Sequence, residues 1–99
     1  MRAFFIGDPI LVNGYRLSGV EVVPVTSADE LIDALDTVYQ TEGVGIILVD
    51  RDYSSQAKVK VEGLRLKHAL PVLVEVPGRR GGPDIDIKST ITRIMGAKI

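Results

Sequence analysis

The 99-residue sequence contains no cysteine and a single histidine, and these two absences exclude several kinds of chemistry. Without cysteine there is no disulfide framework, no thiolate nucleophile and no cysteine-based zinc site. A histidine metal site or a Ser-His-Asp triad would have to be built around His68 alone. The predicted position of His68 at the end of a helix is typical of a side chain that the helix dipole favours.

Long apolar runs and an excess of charge are also missing. No run approaches the ~20 apolar residues that a bilayer crossing needs, and the formal net charge is −1, which argues against a broad electrostatic footprint for nucleic acid. The short apolar start lacks a small-residue cleavage site, so we expect no signal peptide and a cytoplasmic location. The apolar fraction of 45% and the charged fraction of 25% are those of an ordinary soluble domain.

The first twenty residues organise the chain. Residues 3–6 are apolar without alternation, which predicts a strand covered on both faces. Asp8 is predicted to cap a following helix whose first position is taken by Pro9. That helix is expected to be short, because Gly14 weakens its middle and Gly19 closes it.

The remaining elements alternate between strand and helix. Pro24 lacks an N–H donor and therefore predicts an edge position for the strand of residues 20–25, whereas the apolar strand of residues 44–49 is expected at the centre. A capping box from Ser27 to Glu30 begins a helix over residues 28–40. Residues 54–68 alternate partly like a strand, but a parallel crossover to the strand of residues 72–76 favours a helix.

This order, βαβαβαβα, predicts an α/β fold: a small open four-stranded parallel sheet with helices on both faces, of Rossmann-like or receiver-like type. We expect a single domain over residues 1–99. Residues 1–76 form its sheet and crossover helices, residues 77–83 a flexible loop, and residues 84–99 a C-terminal helix.

Acidic residues at the carboxyl ends of strands are the strongest candidates for chemistry, because ligands of open α/β sheets bind there. Asp8 and Asp50 follow two strands, and with Asp52 they could chelate Mg²⁺, as in phospho-accepting receiver domains. The receiver pattern is incomplete, since the second adjacent acid, the hydroxyl residue and the lysine are missing. The favoured interpretation is structural, with Asp8 as a helix cap and Asp50 and Asp52 as solvated turn residues.

Two glycine-containing stretches give weaker indications. The glycines near Gly7 and between Gly14 and Gly19 form neither a dinucleotide fingerprint nor a phosphate-binding loop. The loop that contains Arg79 and Arg80 could hold an anion, although a mobile surface connector is the favoured interpretation. We therefore predict no catalytic residue, no metal site and no cofactor.

The sequence resembles the F subunit of the archaeal and bacterial V-type (A-type) ATP synthases over nearly its whole length. The most specific part is Gly14-Tyr15-Arg16-Leu17-Ser18-Gly19-Val20, which directly follows the first strand region. The runs 44–49 and 70–77 add to the likeness.

The resemblance implies a non-catalytic subunit of the central rotor stalk, bound to the coiled coil of the D subunit. Further implied partners are the stalk-to-ring adaptor and the A and B subunits of the head, with membrane contact only through the complex. Such a subunit would help to couple ATP turnover to ion transport. The predicted contact residues are Gly14, Tyr15, Arg16, Leu17 and Gly19 near the first helix and Ile85, Met95 and Ile99 in the C-terminal segment. A receiver-like regulator with Asp50 as acceptor and Asp8 as metal ligand is the alternative, and a generic small-ligand α/β domain is a third.

Overall fold

The structure, a computed structural model, describes residues 2–79 of the chain. This part forms one four-stranded parallel sheet in the order β2-β1-β3-β4. The strands are β1 (Arg2–Gly7), β2 (Glu21–Pro24), β3 (Val44–Asp50) and β4 (Val72–Val76). The helices are α1 (Val12–Leu17), α2 (Ala28–Tyr39), α3 (Arg51–Ser54) and α4 (Lys58–Lys67), with a 3₁₀ turn at Ser55–Ala57. The predicted α/β fold is thereby confirmed, whereas the predicted helix of residues 84–99 lies outside the described residues.

The position of each strand follows its composition. β1 and β3 lie inside the sheet, and their apolar residues are buried almost without interruption. β2 lies at an edge of the sheet formed by residues 2–79 and ends at Pro24, so the predicted edge position is confirmed. A proline is tolerated there because an edge strand has one side without a ladder partner.

Two apolar clusters cover the two faces of the sheet. Phe4 and Ile6 of β1 point to the face covered by α2 and α4, while Phe5 points to the face covered by α1. Because successive side chains of a strand point to opposite faces, covering both faces requires apolar residues at every position. The predicted helices on both faces are therefore confirmed.

The capping box at the start of α2 forms with one change of partner. Ser27 Oγ accepts a hydrogen bond from the Glu30 N–H at 3.1 Å, as predicted. The Glu30 carboxylate accepts from the N–H of Thr26 at 2.6 Å and from its hydroxyl at 2.9 Å. The bond from Ser27 occupies one of the N–H groups that have no partner within the helix, which explains why the sequence locates this helix to within one residue.

The crossover from β3 to β4 is helical, as predicted, but it begins at Arg51 and is broken by the 3₁₀ turn. Its sequence pattern is ambiguous because α4 has apolar side chains on opposite sides. Val61 is buried against the core, whereas Val59 and Leu66 are exposed. No helix within residues 2–79 is both long enough and apolar enough to cross a membrane.

Polar contacts secure the crossover to the sheet. Ser54 Oγ donates to Glu75 Oε2 at 2.6 Å, and the Arg65 guanidinium lies 3.7 Å from the other oxygen of Glu75. His68 ends α4, as predicted, and its ring stacks on Tyr39 with 4.4 Å between centroids. The histidine thus has a packing role at the end of its helix.

Candidate functional site

The carboxyl ends of β1 and β3 bring Asp8 and Asp50 together at one edge of the sheet. Asp50 is fully buried. Its Oδ2 accepts a hydrogen bond from the Asp8 N–H at 3.1 Å, and its Oδ1 accepts from the Asp52 N–H at 2.9 Å. The second bond makes Asp50 the cap of α3. The prediction of Asp50 as a solvated turn residue is therefore wrong, because both of its oxygens serve backbone groups inside the protein.

Asp8 organises the turn that leaves β1. Its Oδ1 accepts from the Ile10 N–H at 2.8 Å, and its carbonyl oxygen accepts from the Leu11 N–H at 2.9 Å. Helix α1 begins only at Val12, and the residue before it, Leu11, makes no side-chain capping bond. The prediction of Asp8 as a helix cap is therefore wrong, because its carboxylate closes a turn ahead of the helix.

Arg79 completes what we call the carboxyl-edge cluster, formed by Asp8, Asp50, Asp52 and Arg79. Arg79 Nε donates to Asp8 Oδ2 at 2.8 Å, across 71 positions of sequence. The residue before it, Gly78, lies directly against the carboxylates of Asp50 and Asp52, where a Cβ would overlap them. The loop that contains Arg79 was predicted to hold an anion, and the anion that Arg79 binds is the Asp8 carboxylate of the same chain.

Burial and charge shift the pKa values of the two aspartates in opposite directions. Burial raises the pKa of Asp50, and the N–H groups of Asp8 and Asp52 oppose this shift. The Ile10 N–H and, to a lesser extent, the Arg79 guanidinium lower the pKa of Asp8. Burial therefore disfavours the charged form of Asp50, whereas the hydrogen bonds to Asp8 stabilise its charged form.

The space left at this edge is small. A cavity of about 60 Å³ is lined by Asp8, Asp52, Tyr53, Gln56 and Arg79. Pockets for small-molecule ligands usually enclose roughly 300–1,000 Å³, so this cavity has room for a few waters at most. Within residues 2–79, no cluster of three or more acidic, histidine or cysteine side chains is arranged to hold a metal ion. The cluster has the geometry of a structural tie among the loops after β1, β3 and β4.

The residues predicted near the first helix divide between core and surface. Gly14, Arg16, Leu17 and Gly19 are exposed. Tyr15 is buried and stacks on Phe5 with 3.8 Å between ring centroids. Its ring packs in the core and is not presented to a partner. Ile85, Met95 and Ile99 lie outside the described residues.

The exposed part of this helix is a small surface with one apolar protrusion. The Leu17 side chain is 88% exposed. Arg16 Nη1 donates a hydrogen bond to Asn13 Oδ1 at 3.3 Å, and the residue is otherwise exposed to solvent. Gly19 has a φ of +86°, a conformation that favours glycine, so this glycine serves the turn into β2. A Cβ on Gly14 would meet no atom within 4 Å, so the fold of residues 2–79 does not require glycine there.

Sequence reasoning did not identify a second exposed apolar surface, on α4. Val59 and Leu66 are 87% and 85% exposed, which exceeds the exposure of most apolar side chains in residues 2–79. The signal lies in the alternating run of residues 58–62, which by itself is ambiguous between helix and strand. The structure resolves this run into two opposite faces of one helix.

Comparison with known proteins places the chain among ATP synthase subunits. Residues 3–95 match the model of the ATP synthase (F/14-kDa) subunit family. The V-type ATP synthase F subunit from one strain of Thermus thermophilus is 34% identical over 73 residues, which cover 74% of this chain and 70% of the relative. The A-type ATP synthase F subunit of Archaeoglobus fulgidus is 25% identical over 95 residues, covering 95% of this chain and 92% of the relative.

A solved structure supports the same relationship. The crystal structure of the V-type ATP synthase F subunit from Archaeoglobus fulgidus aligns with a TM-score of 0.63 and 26% sequence identity. The alignment covers 76% of this chain and 95% of that chain.

Proposed function

Because the chain belongs to the ATP synthase (F/14-kDa) subunit family and is an F subunit of a V/A-type ATP synthase, we propose that it is a component of the central rotor stalk. In this role it binds the coiled coil of the D subunit and turns with it. The rotation helps to couple ATP turnover in the A and B subunits to ion transport across the membrane. The match of residues 3–95 to the family is the observation that carries this proposal.

The proposal also assigns a location and further contacts. The protein works at the cytoplasmic face, next to the stalk-to-ring adaptor and the A and B subunits, and it reaches the membrane only through the complex. Its role is mechanical, so it needs a stable fold and a binding surface.

The carboxyl-edge cluster agrees with such a role. In open α/β sheets this edge usually forms the ligand crevice, but here Asp50 and Arg79 are engaged by groups of the same chain. These bonds join the loops after β1, β3 and β4. A subunit that transmits torque benefits from loops that are fixed to one another.

We assign the contact with the D subunit to the surface of α1 that includes Gly14, Arg16, Leu17 and Gly19, together with Ile85, Met95 and Ile99 of the C-terminal segment. Leu17 is the apolar centre of the α1 part, because its side chain is almost fully exposed. Tyr15 supports this surface from beneath through its stacking on Phe5. A stable interface buries about 800 Å² on each partner, which is more than α1 alone offers and therefore calls for the C-terminal segment as well.

Co-expression with the D-subunit coiled coil from the same source tests the proposal, with size-exclusion chromatography and light scattering as the measurement. We expect a stable one-to-one complex that Leu17→Glu weakens at least tenfold. Ile10→Glu is the matched control, since Ile10 is also an exposed apolar residue but precedes α1. Separate elution of the two wild-type chains at micromolar concentration would refute the stalk assignment.

A further inference from the structure

One half of the sheet has an apolar face that no helix of residues 2–79 covers. Helix α1 leads from β1 to its neighbour β2 and lies against these two strands. Helices α2 and α4 belong to the opposite face. A helix is about 10 Å wide and neighbouring strands are about 4.8 Å apart, so α1 covers about two of the four strands. The α1 face of β3 and β4 therefore needs a second cover.

The side chains on this half of the face are nevertheless buried. Ile46 and Leu48 of β3 are each 1% exposed, and Val76 of β4 is 3% exposed. All three belong to the apolar cluster on the α1 face. Ile46 lies between Ala3 of β1 and Val72 of β4 in the register of the sheet. Strand side chains stand perpendicular to the sheet, so these neighbours shield Ile46 from the side, and a further layer of chain has to lie on top of β3.

The exposure along β4 shows how far this layer extends. Val72 and Val76 point to the same face, because alternate residues of a strand share a face. Val72, at the amino end of β4, is 43% exposed, whereas Val76, at the carboxyl end, is buried. The layer thus covers β3 and the carboxyl end of β4 and leaves the amino end of β4 to solvent.

The layer belongs to this chain, because the structure contains a single chain. Outside residues 2–79 the chain has only residue 1 and residues 80–99. Residue 1 precedes β1, and it lies about 13 Å along that strand from Phe5, the residue that pairs with Leu48. It is therefore too distant to cover the carboxyl half of the face, and residues 80–99 are left as the cover.

The contacts of Gly78 and Arg79 start this segment at the appropriate edge of the sheet. Gly78 lies against the carboxylates of Asp50 and Asp52, which follow β3. Arg79 Nε donates to Asp8 Oδ2, which follows β1, at 2.8 Å. The chain therefore turns from the end of β4 back across β3 toward β1. A segment that runs down the sheet from this point passes over the region where burial is complete.

Residues 84–99 have the pattern and the length for this position. Ile87, Ile91 and Ile94 follow one another at intervals of four and three residues with polar residues between them, which places them on one side of a helix. A helix of this segment is about 24 Å long, and the seven residues of β3 extend for about 23 Å. A lone helix of this length is marginal in water, so its apolar stripe needs a surface on which to pack.

We propose that residues 84–99 form a helix that docks on the α1 face of β3 and β4. It is the counterpart of α1 on the other half of the sheet. Its stripe of three isoleucines packs on the buried residues of that half, Ile46, Leu48 and Val76.

Docking joins the two parts of the contact that we assigned to the D subunit, and this consequence, unlike the docking itself, rests on that assignment. Helix α1 and the docked helix lie side by side on one face of the sheet, at the 8–10 Å that is typical of packed helices. Ile85 and Ile99 lie away from the isoleucine stripe, as Leu17 of α1 lies away from the core. The outer sides of the two helices thereby form one continuous surface, as an interface of about 800 Å² requires.

Methyl NMR of the free full-length chain tests the position of the segment. Isoleucine, leucine and valine methyl groups are labelled with ¹³C, and nuclear Overhauser effects identify neighbouring methyl groups. We expect these effects between Ile91 and Leu48. Val59 and Leu66 are the controls, because they are exposed on α4 at the other face, and they should show no effect with Ile91.

Substitutions in the full chain test whether the docking stabilises the fold. Ile91→Ala should lower the Tm by at least about 8 °C, because it leaves a cavity on β3. Ile91→Val removes one methyl group and should lower the Tm by less. Ser89→Ala, on the opposite side of the same helix, is the matched control and should stay within about 3 °C of wild type. A segment that is not docked tolerates all three substitutions alike.

Three results would overturn the inference. The first is an unchanged Tm for Ile91→Ala, and the second is a contact of Ile91 with Val59 or Leu66 in place of Leu48. The third is a contact with Leu48 that arises only between differently labelled chains, since a second copy would then cover the face. All of these measurements use the chain without the D subunit, so their failure is distinct from a failure to form that complex.

Discussion

Replacing Asp50 with alanine should destabilise the protein, because two backbone N–H groups lose their acceptor. These groups belong to Asp8 and Asp52 and lie 3.1 and 2.9 Å from the Asp50 carboxylate. An unsatisfied buried donor costs about 1–3 kcal/mol. Asp52 is half-buried, so water can partly replace its lost bond. The substitution also removes a buried charge, and we therefore expect a net loss of about 2 kcal/mol in the free energy of unfolding.

For a domain of this size, 1 kcal/mol corresponds to about 4–8 °C in Tm. Asp50→Ala should thus lower the Tm by about 8–16 °C, and Asp50→Asn by less, since asparagine keeps one acceptor oxygen. Urea unfolding followed by circular dichroism, together with a thermal scan, measures both quantities. Asp36→Ala, at an exposed aspartate of α2, is the control and should stay within about 0.5 kcal/mol of wild type.

The pH dependence provides an independent check on the same residue. Burial raises the pKa of Asp50 above its ordinary value of 3.8, so the folded state holds this proton to a higher pH than the unfolded state does. The stability advantage of wild type over Asp50→Ala should therefore decrease as the pH rises from 3.8 to the folded pKa, and then remain constant. An advantage that increases over this range, or a loss below about 0.5 kcal/mol at neutral pH, would refute the assignment of Asp50 as a structural tie.

Three further predictions concern the same fold. Burial raises the pKa of Tyr15 to about 12, so in an absorbance titration its ring should ionise well above pH 10. Gly78→Ala should cost about 1–3 kcal/mol in thermal unfolding because its Cβ overlaps the carboxyl-edge cluster, whereas Gly14→Ala, where the Cβ meets nothing, should not destabilise. Arg79→Gln should lower the free energy of unfolding by about 0.5 kcal/mol at neutral pH. In urea titrations this loss should vanish as the pH falls below 3.8 through the lowered folded pKa of Asp8.

Local sequence signals are sufficient to predict most of the secondary structure of residues 2–79. The capping box and the helical spacing of Leu31 and Leu35 locate α2 to within one residue. Pro24 predicts the edge position of β2 because proline has no N–H to donate to a neighbouring strand, and this property does not depend on the rest of the fold. These predictions succeed because their physical cause lies within a few residues of the feature.

The carboxyl-edge cluster could be predicted only in part. The ends of the strands bring Asp8 and Asp50 to one edge, as parallel topology requires. The sequence does not indicate that Asp50 is fully buried or that Arg79 pairs with Asp8, 71 positions away. A buried acid and a solvated acid look identical in sequence, because burial depends on which loop covers the side chain.

By itself, the sequence determined the order of the four strands, a helical connection between each strand and the next over residues 2–79, the two covered faces of the sheet and the likeness to the F-subunit family. Only the tertiary structure decided that Tyr15 is a core residue, that Arg79 closes the carboxyl edge and that α4 has apolar residues on both sides. The physical reason is the distance along the chain over which each effect acts. Propensity and capping act between neighbours in the chain, whereas burial and ion pairing depend on surfaces that meet only when the chain is folded.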